Sequence, residues 1–183
     1  GNQNTAVGRN ALGLNTTASY NTAVGYYAGY NNTTGLYNNN FGATAGYSTT
    51  TGTQNQAMGN SALYYNTTGS YNVALGGAAL FNNTTASQNT AVGYRAGYAN
   101  TTGSENTYVG YDAGLAVTTA VADTFIGRNA GSATTGSYNT FLGTSAGATI
   151  TSGAGNTIIG RYNGNSGGLD IRTSSNNIVL SDG

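Results

Sequence analysis

Asn89-Thr90-Ala91-Val92-Gly93-Tyr94-Arg95-Ala96-Gly97 is the stretch from which the fold can be read. Its leading motif, Asn-Thr-Ala-Val-Gly, recurs with variations along the chain. The closing glycine falls at Gly8, Gly25, Gly42, Gly59, Gly76, Gly93, Gly110, Gly127, Gly143 and Gly160. The spacing is 17 residues at every step except Gly127 to Gly143, which is 16 because one residue is lost near Ala133. A fixed period of this length signals a solenoid in which each repeat is one coil stacked on the last.

Working outward from the glycines, the preceding residue is always large and apolar: Val7, Val24, Phe41, Met58, Leu75, Val92, Val109, Ile126, Leu142 and Ile159. This column is expected to face a core. Three residues after each glycine from Gly8 to Gly143 stands an alanine, from Ala11 through Ala96 to Ala146, which marks a tight space. The spacing predicts one short β-strand over Asn-Thr-Ala-Val and a second around the alanine column, with glycines at the bends. Asn-Thr-Thr-Gly, as at Asn32 to Gly35 and Asn66 to Gly69, closes the coil. Helix is excluded by glycine density, since each glycine in a helix interior costs about 1 kcal/mol. The fold class is therefore all-β, a parallel β-solenoid or β-roll over residues 1–162, followed by an irregular transition and a final strand over residues 163–183.

Strand side chains alternate between faces. If the valine column points inward, its neighbour points outward, and that neighbour reads Ala6, Ala23, Asn40, Ala57, Ala74, Ala91, Tyr108, Phe125, Phe141 and Ile158. A second apolar column on the opposite face asks for another partner surface, which a neighbouring copy would supply. One large apolar side chain and an alanine or two per coil is also a small core for the backbone entropy of ordering a whole coil. A homo-oligomer is expected, with three copies bundled around the long axis.

Composition narrows the function classes. The 183 residues carry five Arg, five acidic residues, no Lys and no His, for a formal net charge of zero. Phosphate-backbone binding needs a basic patch, so nucleic acid is not an expected partner. No stretch reaches the roughly 20 apolar residues of a membrane-spanning helix, so no membrane insertion by this segment is expected. No signal-peptide pattern is seen, and Gly1 already lies inside the repeat, which leaves upstream sequence as the place for any targeting segment. Without Cys, disulfides and thiolate metal sites are unavailable. With no His, Cys or Lys the usual general base, thiolate and Schiff-base amine are missing, so no enzyme activity, catalytic residue or cofactor is expected. Glu105, Asp112 and Asp123 are the only group of three carboxylates spaced within about one coil and are weighed as a Ca²⁺ site, against the reading that no metal binds.

The run Asn-Thr-Ala-Val-Gly-x-x-Ala-Gly at Asn21 to Gly29 and Asn89 to Gly97 resembles the head repeat of the trimeric autotransporter adhesins. In that family, similar Ser-Val-Ala-Ile-Gly motifs build a left-handed parallel β-roll that trimerises. The resemblance covers Asn4 to about Gly160, with a longer period and an added Thr-Thr-Gly turn. Very similar repeats occur in tail fibres of tailed phages, where a segment similar to Asn176 to Gly183 precedes a self-cleaving chaperone. The resemblance implies an extracellular, trimeric, surface-contacting fibre on a virion or bacterial cell.

Several further columns are candidates for function. Five residues after the glycine, Tyr30, Tyr47, Tyr64, Phe81 and Tyr98 form an aromatic ladder, structural on one reading and a glycan-contacting stripe on the other. The column Asn4, Asn21, Asn38, Asn55, Asn72, Asn89, Asn106, Asn139 and Asn156, interrupted by Asp123, is expected to be an internal amide ladder. Arg95 and Asp112, equivalent positions of adjacent coils, are expected to pair. Sequons such as Asn66-Thr67-Thr68 and Asn100-Thr101-Thr102 read as polar turn residues, with N-glycan attachment as the alternative.

The function expected from this sequence is a structural and adhesive fibre segment that contacts a host-surface glycan or protein receptor. The competing readings are an ice-binding solenoid, suggested by Thr16-Thr17, Thr33-Thr34, Thr50-Thr51 and Thr67-Thr68, and a subunit of a self-assembling extracellular filament.

Overall fold

The computed structural model describes residues 1–181. Its main element is an 11-stranded parallel sheet in which strands stack in chain order. Ten of them are β1 (Thr5–Val7), β2 (Thr22–Val24), β3 (Asn39–Phe41), β4 (Gln56–Met58), β5 (Val73–Leu75), β6 (Thr90–Val92), β7 (Thr107–Val109), β8 (Thr124–Ile126), β9 (Thr140–Leu142) and β10 (Thr157–Ile159). After β10 an antiparallel hairpin of β11 (Asn165–Ser166) and β12 (Leu169–Asp170) intervenes, and β13 (Ile178–Leu180) then stacks on β10. Each strand is in register with the next, so that Thr5 pairs with Thr22, Ala6 with Ala23 and Val7 with Val24. The parallel β-solenoid read from the repeat is thus the fold. Of the C-terminal Asn176 to Gly183 segment, Asp182 and Gly183 lie outside the described residues.

Each coil contains one three-residue strand, not two. Around the alanine column the chain forms tight turns, because two residues there adopt positive φ: Arg95 at 53° and Gly97 at 62°, with the same pattern in the other repeats. A third left-handed corner precedes the asparagine column, as at Gln88 with φ 62°. Backbone bonding nevertheless continues from coil to coil through the turns, with Leu80 N–H donating to Ala96 carbonyl at 3.0 Å and Gly97 N–H to Ala113 carbonyl at 2.9 Å. The turn peptides alternate between bonds to neighbouring coils, as for Arg95 N–H to the Gly77 carbonyl, and bonds within the turn, as for Ala96 N–H to the Gly93 carbonyl, which is why a segment without strand conformation still keeps the period.

The glycine that closes each strand has a physical reason to recur. At Gly93 φ is 132°, and a Cβ there would sit 2.5 Å from the carbonyl oxygen of Gly110 in the next coil. Only glycine allows both the conformation and the approach.

The strand faces are opposite to the sequence expectation. Ala23, Ala57, Ala74, Ala91, Tyr108, Phe125, Phe141 and Ile158 are fully buried inside the coils, whereas Val7, Phe41, Met58, Ile126, Leu142 and Ile159 are exposed. Alternation correctly set the two columns on opposite faces, but the inward one is the column that begins small and becomes bulky. The alanine column three residues after the glycine is also fully buried at Ala28, Ala45, Ala62, Ala79, Ala96, Ala113, Ala130 and Ala146.

A variable column can occupy the interior because a second column compensates its volume. Four residues after the closing glycine, Leu63 and Leu80 fill the core in coils whose strand contributes Ala57 and Ala74. Opposite Tyr108, Phe125 and Phe141 the equivalent residues are Gly114, Gly131 and Gly147, where an added Cβ would come within 2.5, 2.4 and 2.4 Å of the respective ring. Conformation does not require these glycines, since Leu63 and Leu80 hold φ of 51° and 49° at the same position. Space does. Gly97 shows that the compensation spans coils: its strand partner is Ala91, but a Cβ would strike Tyr108 of the next coil at 2.6 Å and Leu80 of the previous one at 2.9 Å.

The C-terminal interior is consequently aromatic. Phe125 and Phe141 stack with centroids 4.8 Å apart and planes 6° from parallel, and Tyr108 packs on Phe125 at 5.8 Å. Phe125→Ala is expected to destabilise the fold by about 3–5 kcal/mol. Gly131→Ala should also destabilise, but by less in the Phe125→Ala background than alone. A double-mutant cycle in urea should show a coupling of about 0.5–3 kcal/mol; strict additivity would refute the volume argument.

Candidate functional site

The asparagine column is the internal spine expected from the sequence. Asn38 N–H donates to Asn21 Oδ1 at 2.8 Å, and Asn55 N–H to Asn38 Oδ1 at 2.9 Å. The side-chain amide reaches across the coil, with Asn38 Nδ2 donating to the Gly52 carbonyl at 2.8 Å and Asn89 Nδ2 to the Gly103 carbonyl at 2.9 Å. Each asparagine therefore ties its own coil to the next and closes the turn. The sequon asparagines are a second buried column, not surface turn residues: Asn66, Asn83 and Asn100 are fully buried, and Asn100 Nδ2 donates to Asn83 Oδ1 at 3.0 Å and to the Gly103 carbonyl at 2.9 Å. An interior amide bonded in this way is not accessible for glycan attachment in the folded chain.

Asp123 stands in the spine without an amide proton to offer. Its Oδ1 accepts from Asn139 N–H at 2.8 Å, while its buried Oδ2 has no hydrogen-bond partner. Burial pushes its pKa up to about 7, against the opposing pull of the Asn139 hydrogen bonds. The folded carboxyl thus keeps a proton up to about pH 7 that the unfolded chain releases near pH 4, where an unperturbed Asp titrates. Between those values the folded state binds more protons, so stability falls as pH rises.

Glu105, Asp112 and Asp123 do not form a metal centre; among the described residues no group of three or more His, Cys, Asp or Glu could hold a metal ion. Asp112 instead pairs with Arg95 as expected, with Nε to Oδ1 at 2.8 Å and Nη2 to Oδ2 at 2.6 Å. The paired Arg95 guanidinium lies 5.2 Å from the Tyr94 ring centroid.

The aromatic ladder is present. Tyr30, Tyr47, Tyr64, Phe81 and Tyr98 stack with centroid spacings of 5.6, 5.1, 5.2 and 5.2 Å and nearly parallel planes. All five rings are half-buried. The inner rings spend both faces on one another, so this ladder acts first as a longitudinal strut. Tyr64 has its phenol pKa raised by burial and by the neighbouring Tyr47 and Tyr65.

Two surface features emerge that the sequence reading did not anticipate, the first being the very column it placed toward the core. On the outer face of the sheet the column from Val7 to Ile159 continues through Leu180 of β13 as an outward-facing apolar stripe, exposed at Val7, Phe41, Met58, Ile126, Leu142, Ile159 and Leu180 and half-buried at Val24, Leu75, Val92 and Val109. The second is a notch of about 490 Å³ beside the aromatic ladder, at Gly77 and Ala78. Its sequence signal is a lapse to small residues in columns that hold Tyr26, Tyr27, Tyr94 and Arg95 in other coils. Compared with known proteins, the chain matches no family model, no curated protein and no solved structure.

Stability measured by chemical denaturation should decline from about pH 4 to pH 7 and then level off. Asp123→Asn, which restores the amide, should flatten that decline and raise stability at pH 8 by several kcal/mol. An unchanged pH profile in the variant would show that Asp123 is not the group responsible.

Proposed function

We propose that this chain is a structural and adhesive segment of a trimeric extracellular fibre, presenting a receptor-contacting surface on a virion or bacterial cell, and that it carries no catalysis. The observation that supports this reading is the outward-facing apolar stripe. A continuous apolar surface on an isolated chain is an aggregation hazard unless a partner covers it. Every strand of the main sheet contributes one residue to it, at the rise of the coils themselves, about 4.8 Å. A partner that meets such a stripe along its whole length needs the same rise, and a second copy in parallel register has it. Because the stripe is one residue wide, three copies converging on an axis bury it from both sides. We further propose a left-handed coil, as in the adhesin heads that the repeat resembles. At about 4.8 Å per coil the segment extends roughly 50 Å, suited to a shaft or head module.

The exposed sheet face also bears on the ice-binding alternative. Thr22, Thr90, Thr107, Thr124, Thr140 and Thr157 share that face with the stripe, two residues before each apolar position. The threonine column is interrupted by Asn39, Gln56 and Val73, and the apolar column varies from valine to Phe41 and Met58, so the face is uneven, whereas a lattice-matching surface requires regular flatness. In the Thr-Thr turns the first hydroxyl is already committed, with Thr33 Oγ1 donating to the Thr50 carbonyl at 3.1 Å and Thr50 Oγ1 to the Thr67 carbonyl at 3.1 Å.

Sedimentation equilibrium should give three times the 18.4 kDa chain mass. Placing Glu at Met58 and Leu142 should reduce it to the monomer while preserving the β-sheet circular dichroism, because both side chains point out of the coil. A monomeric parent would overturn the fibre reading; freezing-point depression by that monomer would favour ice binding, and open-ended polymers by electron microscopy would favour a filament.

A further inference from the structure

We infer that the notch at Gly77 and Ala78 is a binding site for a single neutral hexopyranose ring of a surface carbohydrate. This deepens the surface-contacting reading above and rests on it.

The column that follows the closing glycine stacks Tyr94 on Tyr111 and then carries no ring at Gly77, Asn60 or Ala43, so the stack stops at Tyr94 and Gly77 is the first empty rung beside it. Position 94 holds a tyrosine, 51% exposed, that stacks on Tyr111 at 5.5 Å on the C-terminal side. On its other side is Gly77, and a Cβ there would touch nothing within 4 Å except the Tyr94 ring, at 3.3 and 3.7 Å. Beyond the gap stand Asn60 and Ser61. Asn60 and Tyr94 are two coil rises apart, about 9.6 Å, which leaves room for one flat ring of the same thickness as a rung. Phe81 and Tyr98 of the ladder complete the lining.

The two walls differ chemically, and that difference selects the ligand. One wall is an aromatic ring; the other carries an amide and a hydroxyl anchored to the preceding coil, with Asn60 Nδ2 donating to the Ala43 carbonyl at 3.4 Å, Ser61 Oγ 3.0 Å from Thr44 Oγ1 and donating to Asn60 Oδ1 at 3.2 Å, so that what they offer a ligand is spare acceptor capacity. A hexopyranose has an apolar C–H face that packs on an aromatic ring and a rim of hydroxyls that require donors and acceptors. An aromatic ligand would leave the Asn60 side unmatched. Arg95 adds cationic donors at the rim, but its charge is balanced by Asp112 in a bidentate pair, so the notch carries no net charge to favour an acidic sugar.

Gly77→Tyr is the decisive variant, because the equivalent positions Tyr26, Tyr94 and Tyr111 show that this column accepts tyrosine. It should extend the Tyr94–Tyr111 stack by one rung into the notch, leave the melting temperature equal or higher, and keep the assembly mass unchanged. Saturation-transfer NMR titrations of the parent chain with methyl α-glucoside, α-galactoside and α-mannoside should show binding of at least one. In Gly77→Tyr that binding should weaken about tenfold or more, equivalent to 1.4 kcal/mol, and Tyr94→Ala should weaken it similarly. Absence of binding by the parent, equal binding by Gly77→Tyr, or preference for phenol or sialic acid over all three glycosides would each overturn the inference. The mass is read on the same samples, so a trimer that binds no sugar refutes only the notch, whereas a monomer refutes the fibre.

Discussion

The coil-to-coil rise governs this molecule. Because each strand pairs in register with the next, any residue type placed at one position of the repeat meets its own kind about 4.8 Å away. Amides meet amides, rings meet rings and glycines meet glycines. The Gly8-to-Gly160 column follows directly: the carbonyl of each next coil passes where a Cβ would be, so the chain cannot vary there without parting the stack. The asparagine spine answers the same constraint with bonds instead of space, satisfying interior backbone groups that a core of alanines leaves unpaired.

Within that frame the interior is not uniform. The N-terminal coils combine alanine from the strand with asparagine from the turn, while the C-terminal coils substitute Tyr108, Phe125, Phe141, Val117 and Ile150. Where the strand residue grows, a leucine elsewhere in the coil becomes glycine. Volume is balanced across neighbouring coils, since Ala91 and Gly97 share a coil whose space Leu80 and Tyr108 fill from either side, although the chemistry drifts from polar and small to aromatic. Asp123, at the start of the aromatic part, is where the two regimes meet least comfortably, with a carboxyl group in a place built for an amide.

Periodicity made much of this visible before any coordinates: the stacked coils, the parallel strands, the amide spine, the tyrosine ladder and the Arg95 to Asp112 pair all follow from which residues recur at one position. The direction of the strand faces did not. A three-residue strand with apolar side chains on both faces obeys alternation in either orientation, and uniform size in the valine column looked more core-like than a column running from Ala6 to Phe141. The deciding signal lay in a correlation between columns, since Gly114, Gly131 and Gly147 appear in the same coils as Tyr108, Phe125 and Phe141. The second strand failed for a different reason: left-handed conformations at residues such as Arg95 and Asp112 are held by bonds to the preceding coil and have no local signature. The notch was hidden because it is marked by what two columns lack.

The hairpin of β11 and β12 shows how the architecture accommodates change. Between β9 and β10 equivalent residues are 17 apart, Thr140 to Thr157, whereas between β10 and β13 they are 21 apart, Thr157 to Ile178, yet the strands pair in the same register. Extra length is looped out at a corner, with Gly167 and Gly168 at its tip meeting no other atoms within 4 Å of an added Cβ. A rod of this kind can therefore acquire decorations one turn at a time, and diversify what it displays while the scaffold beneath stays the same.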